Sequence, residues 1–304
     1  MSILVVGSVA YDGIKSPAGS VDRCLGGSAT YFSLAASFFT QVRIVAVVGD
    51  DFSKEDEDVL LRRKVDIAGL QRVPGKSFFW RGEYNENLNE AKTITTELNV
   101  FQDFQPKIPE AYKDSEFLFL ANIDPVLQME VRNSMPKTLL VGGDTMNYWI
   151  NGKPAELAEI LRKIDVLLIN DGEARMLGKT NSLPRAAQTI LAHGPRVLVI
   201  KHGEYGATAF FKEAGMTPFR APALPVEEVV DPTGAGDCFA GGFMGYIASQ
   251  SELNREVFKR AMFYGGVMGS FAVEKFGTER FKNLTKSEID ARFGLFRELS
   301  HFDD

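Results

Sequence analysis

The chain has 304 residues, a net charge of −6, and 45 % hydrophobic against 24 % charged residues, the balance of an ordinary globular protein with a large core. That charge offers nothing global to a nucleic-acid backbone or an anionic membrane. A phosphate-rich ligand would have to be held locally, by helix N-termini, backbone amides or a few cations. Two cysteines, Cys24 and Cys238, make no disulfide framework, and His193, His202 and His301 share no ligand spacing with them. The apolar run at the N-terminus is too short for a signal peptide, and no stretch reaches membrane-spanning length. The expectation is a reduced, cytoplasmic protein.

Residues 3–9 read as the first strand, and Asp12-Gly13 follows it with the composition of a turn. Gly26-Gly27 precedes a helical pattern over 28–39; the pair either lets that helix pack closely or leaves room for a ligand. A strand over 44–48 leads to a helix over 53–63. The alternation then breaks at 76–84 and 92–101, two β-like runs joined by Asn85-Glu86-Asn87-Leu88-Asn89-Glu90. Residues 94–100 alternate apolar and polar side chains, as a strand wet on one face does. The reading is a hairpin standing off the main sheet, either a lid that excludes water or a plain surface hairpin. Strands over 117–120, 138–141, 166–169 and 197–200 follow, with helices over 155–164 and 184–192. Asp144 comes after the second of these strands as an N-cap or a cleft residue. Asn170-x-x-Glu173 comes after the third with capping-box spacing. Beyond 230 the pattern is helical, over 238–249, 255–273 and 286–299. Apolar strands separated by helices predict a three-layer α/β/α sandwich with a mainly parallel central sheet, one domain over 1–304.

The segment Asp231-Pro232-Thr233-Gly234-Ala235-Gly236-Asp237 carries the chemistry, because it opens directly into the apolar residues 238–245. A turn of small residues running into a helix exposes N–H groups that lack helical partners, at the positive end of the dipole. Gly234 and Gly236 have no side chain and Ala235 only a methyl, so a phosphate can approach the backbone. The expectation is an anion hole, in which one donor aimed at developing negative charge is worth about 10²–10³ in rate. Asp237 follows at once. The dipole is expected to keep its carboxylate ionised, ready to accept a proton from an attacking hydroxyl; the same residue would also suit an ordinary N-cap. Cys238 reads as a small packed residue. No Gly-x-x-x-x-Gly-Lys-Ser/Thr occurs, and no Gly-x-Gly-x-x-Gly follows the first strand, so neither a P-loop nor a dinucleotide fold is supported.

At this segment the sequence resembles the ribokinase/PfkB carbohydrate kinase family, which includes fructokinases and adenosine kinases. Gly26-Gly27-Ser28-Ala29 matches the family's di-glycine, Gly49-Asp50-Asp51 a common turn, Asn170-x-x-Glu173 its Asn-x-x-Glu motif, and Gly203-Glu204-Tyr205-Gly206 the glycine turn at the nucleotide. In order and at suitable spacing, these cover nearly the whole chain. The resemblance implies a ribokinase-like fold with a small β-sheet lid formed by residues 13–25 and 75–102. It implies Asp237 as general base and Gly234, Ala235 and Gly236 as anion hole, with Asp12, Gly26, Gly27 and Tyr31 at the acceptor. Asn170, Glu173, Lys201, Gly203 and Gly206 would lie at the nucleotide, Glu173 acting indirectly on magnesium, and Asp231 and Thr233 near a monovalent cation such as K⁺. The implied reaction is in-line phosphoryl transfer from magnesium-ATP to a primary hydroxymethyl group of a small carbohydrate. The alternatives are a nucleoside acceptor and a catalytically silent binding protein on the same fold. Ser28, Tyr31 and Ala10 stand where ribokinase-like proteins often carry Lys, Asn and Asn, so three sugar contacts are absent. Tyr31 would then stack on a base or fill space. The lid run Phe78-Phe79-Trp80-Arg81-Gly82-Glu83-Tyr84 would supply an aromatic wall and a cation or pack within the hairpin, and Phe78, Phe79 and Trp80 would permit a homodimer through the lid.

Overall fold

The computed structural model describes residues 1–213, 215 and 217–300; His301 lies outside them. The chain starts with β1 (Ser2–Val6), β2 (Ala10–Ser16), β3 (Gly19–Gly26), α1 (Ser28–Ala36), β4 (Gln41–Val48), α2 (Lys54–Arg62) and β5 (Asp66–Arg72). The pair β6 (Phe78–Tyr84) and β7 (Ala91–Glu97) follows, then β8 (Phe117–Leu120), α3 (Pro125–Ser134), β9 (Leu140–Gly143), α4 (Asn147–Gly152) and α5 (Pro154–Leu161). Next come β10 (Val166–Asn170), α6 (Asp171–Gly178), α7 (Leu183–His193), β11 (Val197–Lys201), β12 (Ala207–Phe211) and β13 (Phe219–Ala221). The last four helices are α8 (Ala235–Ala248), α9 (Arg255–Ala272), α10 (Glu279–Lys282) and α11 (Lys286–Ser300).

Nine strands pair in the order β13-β12-β11-β10-β9-β8-β1-β4-β5, all parallel except β12 and β13 at one edge. The apolar runs are continuous because both faces are covered. Ile3 and Val5 face the layer of α1, α8 and α9, while Leu4 and Val6 face that of α3, α5 and α7. Phe32 of α1 stacks on Phe119 of β8 at 4.3 Å between ring centroids. Burying a side chain of that size contributes about 1.5–3 kcal/mol. The layered α/β architecture is the one the apolar runs predict.

A second sheet, β3-β2-β6-β7, stands apart from the first. It holds the predicted hairpin, but with two further strands from residues 10–26. The first strand of the main sheet therefore ends at Val6, and Asp12 lies inside β2 of the small sheet, not at the end of the first strand. Chain direction changes at Gly7-Ser8, where the Ser8 carbonyl accepts the Ala29 N–H at 3.0 Å. The small sheet is tied to the main body by the Ser16 hydroxyl, which donates to the Val230 carbonyl at 2.6 Å. Further differences fall at edges: β5, β12 and β13 mix polar with apolar residues, and the 138–141 run pairs two residues later, as β9.

Candidate active site

Gly234 is the N-cap of α8, with φ 73°, a left-handed conformation that a side chain rarely tolerates. A β-carbon there would also stand 2.4 Å from the Tyr31 ring. Ala235, Gly236 and Asp237 are the first three helical residues, and no side chain caps them. The Ala235 N–H already donates to the Pro232 carbonyl at 3.2 Å, so of the expected anion-hole amides this one is engaged, and the Gly234 and Gly236 N–H groups, with that of Asp237, are the ones left to a ligand. Asp237 is not the cap; it is the third residue of the helix.

The Asp237 carboxyl is pushed up to about 7, first by burial and then by the Asp144 charge, with Lys201 opposing. The expectation that the helix dipole alone keeps it ionised gives way to this desolvation. Asp144, at the end of β9, caps nothing, since Met146 holds the cap position of α4. Its Oδ1 accepts the Thr145 N–H at 2.7 Å, and its Oδ2 lies 3.9 Å from Lys201 Nζ. Burial raises Asp144 too, against Lys201. Lys201 ends β11 with a side chain 17 % exposed. Burial works against its charge, yet Asp144, Glu173 and Asp237 outweigh it and hold the ammonium above its ordinary value. A β-carbon on Gly236 would stand 3.0 Å from Lys201 Nζ, so the ammonium borders the turn that opens α8.

Asn170 and Glu173 form a complete capping box on α6. Asn170 Oδ1 accepts the Glu173 N–H, and Glu173 Oε2 the Asn170 N–H, each at 2.8 Å. Glu173 nevertheless feels the cluster: burial and then Asp144 raise it to about 7, with Lys201 opposing. Gly203 and Gly206, with φ 56° and 91°, close a turn in which the His202 N–H donates to the Gly206 carbonyl at 2.8 Å. The β6–β7 tip rests there: a β-carbon on Gly203 would stand 2.1 Å from Asn89 Oδ1.

At the other end, Asp12 is 5 % exposed and its Oδ2 accepts the Tyr31 hydroxyl at 3.3 Å. Gly26 makes room for it, since a β-carbon on Gly26 would stand 2.0 Å from that oxygen. Burial and then Asp231 raise Asp12 to about 7, against the Tyr31 hydroxyl. Gly27, at φ 95°, starts α1. Tyr31 is 1 % exposed, and Gly234 takes its ring face, so in this structure it offers no surface for stacking on a base. Asp231 is fully buried, its two oxygens accepting the Thr233 and Gly277 N–H groups at 2.9 Å each. Thr233 Oγ1 in turn donates to the Tyr84 hydroxyl of β6 at 3.1 Å.

Two groups of residues therefore face each other across the start of α8, and Asp237 acts electrostatically on both, on Asp12 at one end and on Glu173 and Lys201 at the other. Tyr84 belongs to the lid run that sequence reads as an aromatic wall, but its bond to Thr233 is not legible there, and Asn89 reads only as part of a polar tract. Register places Trp80 beside Asp12, and alternation along β6 puts residues 80, 82 and 84 on one face.

Residues 2–285 match the family described as pfkB family carbohydrate kinase. The chain is 30 % identical to a cytidine kinase of Thermococcus kodakarensis over 251 residues, covering 80 % of this chain and 87 % of that one. Among solved structures, a Burkholderia thailandensis nucleoside kinase in complex with ADP-inosine superposes with a TM-score of 0.81 at 19 % identity, over 96 % of this chain and 95 % of that one. An E. coli protein described as a putative ribokinase II, in complex with ATP and Mg²⁺, gives 0.79 at 19 % identity, over 97 % and 99 %. At those identities the two structures share the fold.

Proposed function

The chain belongs to the pfkB family of carbohydrate kinases, and from that premise we propose that it transfers the γ-phosphoryl group of ATP to a hydroxymethyl group of a small carbohydrate. The observation that carries this reading is Asp237 at the third position of an uncapped helix, reached electrostatically from both ends of the cleft.

In this reading the strands of the small sheet, with residues 13–25 and 75–102, form a lid over the acceptor, and Asp12 holds the acceptor's hydroxyls. Asp237 takes the proton of the attacking hydroxyl as its oxygen bonds to the γ-phosphorus. The bond from that phosphorus to the bridging oxygen breaks, and ADP leaves with the electron pair. A carboxyl near 7 suits a general base at neutral pH. The Gly236 and Asp237 N–H groups in the first turn of α8 stabilise charge on the transferring group, each worth about 10²–10³ in rate. Lys201, beside Gly236, adds a cation to the same space, and Asn170, Glu173, Gly203 and Gly206 border the nucleotide.

Among the described residues no three His, Cys, Asp or Glu side chains converge as a ready metal cage. Mg²⁺ therefore fits as an ion carried mainly by the nucleotide's phosphates, with Asp144 and Glu173 as the hard oxygen donors at that end. When bound, it neutralises phosphate charge. Asp231 is buried with both oxygens on backbone N–H groups; a monovalent cation such as K⁺ at Asp231 and Thr233 would complete that charge. No described helix is long and apolar enough to cross a membrane. Free Cys24 and Cys238 and the use of ATP suit a reducing cytoplasm.

A nucleoside acceptor is the second reading. Trp80 is the register partner of Asp12 on the small sheet and offers a half-buried aromatic ring to a base, and a relative is a cytidine kinase. ADP release measured with ATP and a panel of sugars and nucleosides separates the two. Turnover with no member of either class would reject both.

A further inference from the structure

Tyr31 touches both halves of the site that the kinase reading requires. Its hydroxyl donates to Asp12 Oδ2 at 3.3 Å. Its ring occupies the space where a side chain at residue 234 would go, 2.4 Å from that β-carbon position. Its N–H donates to the Gly27 carbonyl at 3.1 Å, and its own carbonyl accepts the Cys238 thiol at 3.7 Å. One buried side chain thus spans from the strand that carries Asp12 to the turn that opens α8.

A plain space-filler would need no hydroxyl here. Phenylalanine would pack the same ring, whereas the other buried hydroxyls of α1 in this stretch, on Thr30 and Ser33, find no partner. The Tyr31 hydroxyl instead goes to a buried carboxylate for which the described residues supply no ion-pair partner. It reaches Oδ2, and the same carboxylate also takes a hydrogen bond from the Gly27 N–H. The ring meanwhile limits how far the Gly234 turn can move toward β2.

We propose that Tyr31 is a positioning residue that couples the Asp12 carboxylate to the Gly234 turn, so that seating an acceptor on Asp12 sets the geometry of the anion hole. This rests on the phosphotransfer reading for its functional half, and on geometry alone for the physical tie. Two lines of attack keep the halves separate.

The tie is tested without turnover, by amide NMR on ¹⁵N-labelled protein. Asp12→Asn is introduced into the wild-type and Tyr31→Phe backgrounds, and the Gly234 and Gly236 amide shifts are followed. The tie predicts a clear shift of Gly234 in the wild-type background that shrinks several-fold in the Tyr31→Phe background. Equal shifts in both backgrounds overturn it. The functional half is read in kinetics. Tyr31→Phe keeps the ring and is expected to raise the acceptor KM about tenfold, with a smaller loss in kcat. Tyr31→Leu removes the ring face and is expected to lower kcat about a hundredfold. Melting temperatures are recorded for both. A loss of stability with kcat and KM unchanged in the folded enzyme would make Tyr31 a core residue and overturn the functional half. If wild type releases no ADP with any acceptor, the phosphotransfer reading fails, and the amide shifts alone still decide the tie.

Discussion

Lys201 Nζ lies 3.9 Å from Asp144 Oδ2, at the ends of two strands that are not neighbours, β11 and β9, with β10 between them. Glu173, which follows β10, acts on the same ammonium. Asp144, Glu173 and Asp237 thus share one ammonium, and in the proposed reading Lys201 is the protein's own cation for the nucleotide's phosphates.

Lys201→Met is therefore expected to weaken ATP binding about a hundredfold. It should also move the acid limb of the activity profile to higher pH, because Asp237 loses the one group that lowers it. Calorimetric titration with magnesium-ATP and kcat against pH check both. Unchanged affinity would put Lys201 outside the nucleotide site.

The ligand-free protein should be more stable at pH 5.5 than at pH 8. Asp12, Glu173 and Asp237 are each raised to about 7 in the folded state, so between about 4 and 7 the folded chain binds more protons than the unfolded one. Their stabilisation is full below the ordinary carboxyl range and is lost as pH rises through 7. His202, lowered first by burial, works the other way as pH falls, but as a single half-buried group. Melting temperature against pH, without nucleotide, reads the sum; a higher value at pH 8 would show that these carboxyls are hydrated in solution.

Gly26→Ala should raise the acceptor KM more than about tenfold while ATP affinity stays within about threefold. The new methyl would meet Asp12 Oδ2 at 2.0 Å, so the carboxylate must move, whereas the nucleotide end is untouched. Equal losses for both substrates would point to a general folding defect.

Anionic acceptors should be poor. The Asp231 charge already raises the Asp12 carboxyl, and three of the lid cations are engaged: Lys15 with Glu83 at 2.6 Å, Arg23 with Asp51 at 2.7 Å, and Arg81 with Asp22 at 3.3 Å. Like charges brought together cost several kcal/mol, so sugar phosphates and sugar acids should show kcat/KM at least about a hundredfold below their neutral counterparts. A preference for a phosphorylated sugar would contradict this electrostatic picture.

The central strands were legible in sequence because burial on both faces leaves unbroken runs such as Val197–Lys201. The turn before Asp237 was legible because small residues beside an apolar helix are unusual. The edges were not: β3 reads Gly-Ser-Val-Asp-Arg-Cys-Leu-Gly and is exposed at four of its eight positions, so no periodicity marks it, and Asp12-Gly13 reads as a turn although it lies in β2 between β3 and β6. Tyr31 was legible as a departure from relatives but not as a buried tie, since its neighbours Asp12 and Gly234 are brought to it by packing between distant segments. Asp144 stood between a cap and a cleft residue until the start of α4 at Asn147 left it nothing to cap.

The most direct test is Asp237→Asn, assayed for ADP release with an accepted substrate and for ATP binding by calorimetry. The account predicts turnover lowered by about 10³ or more, with ATP affinity within about threefold of wild type. Wild-type and variant enzymes releasing ADP at the same rate would contradict it.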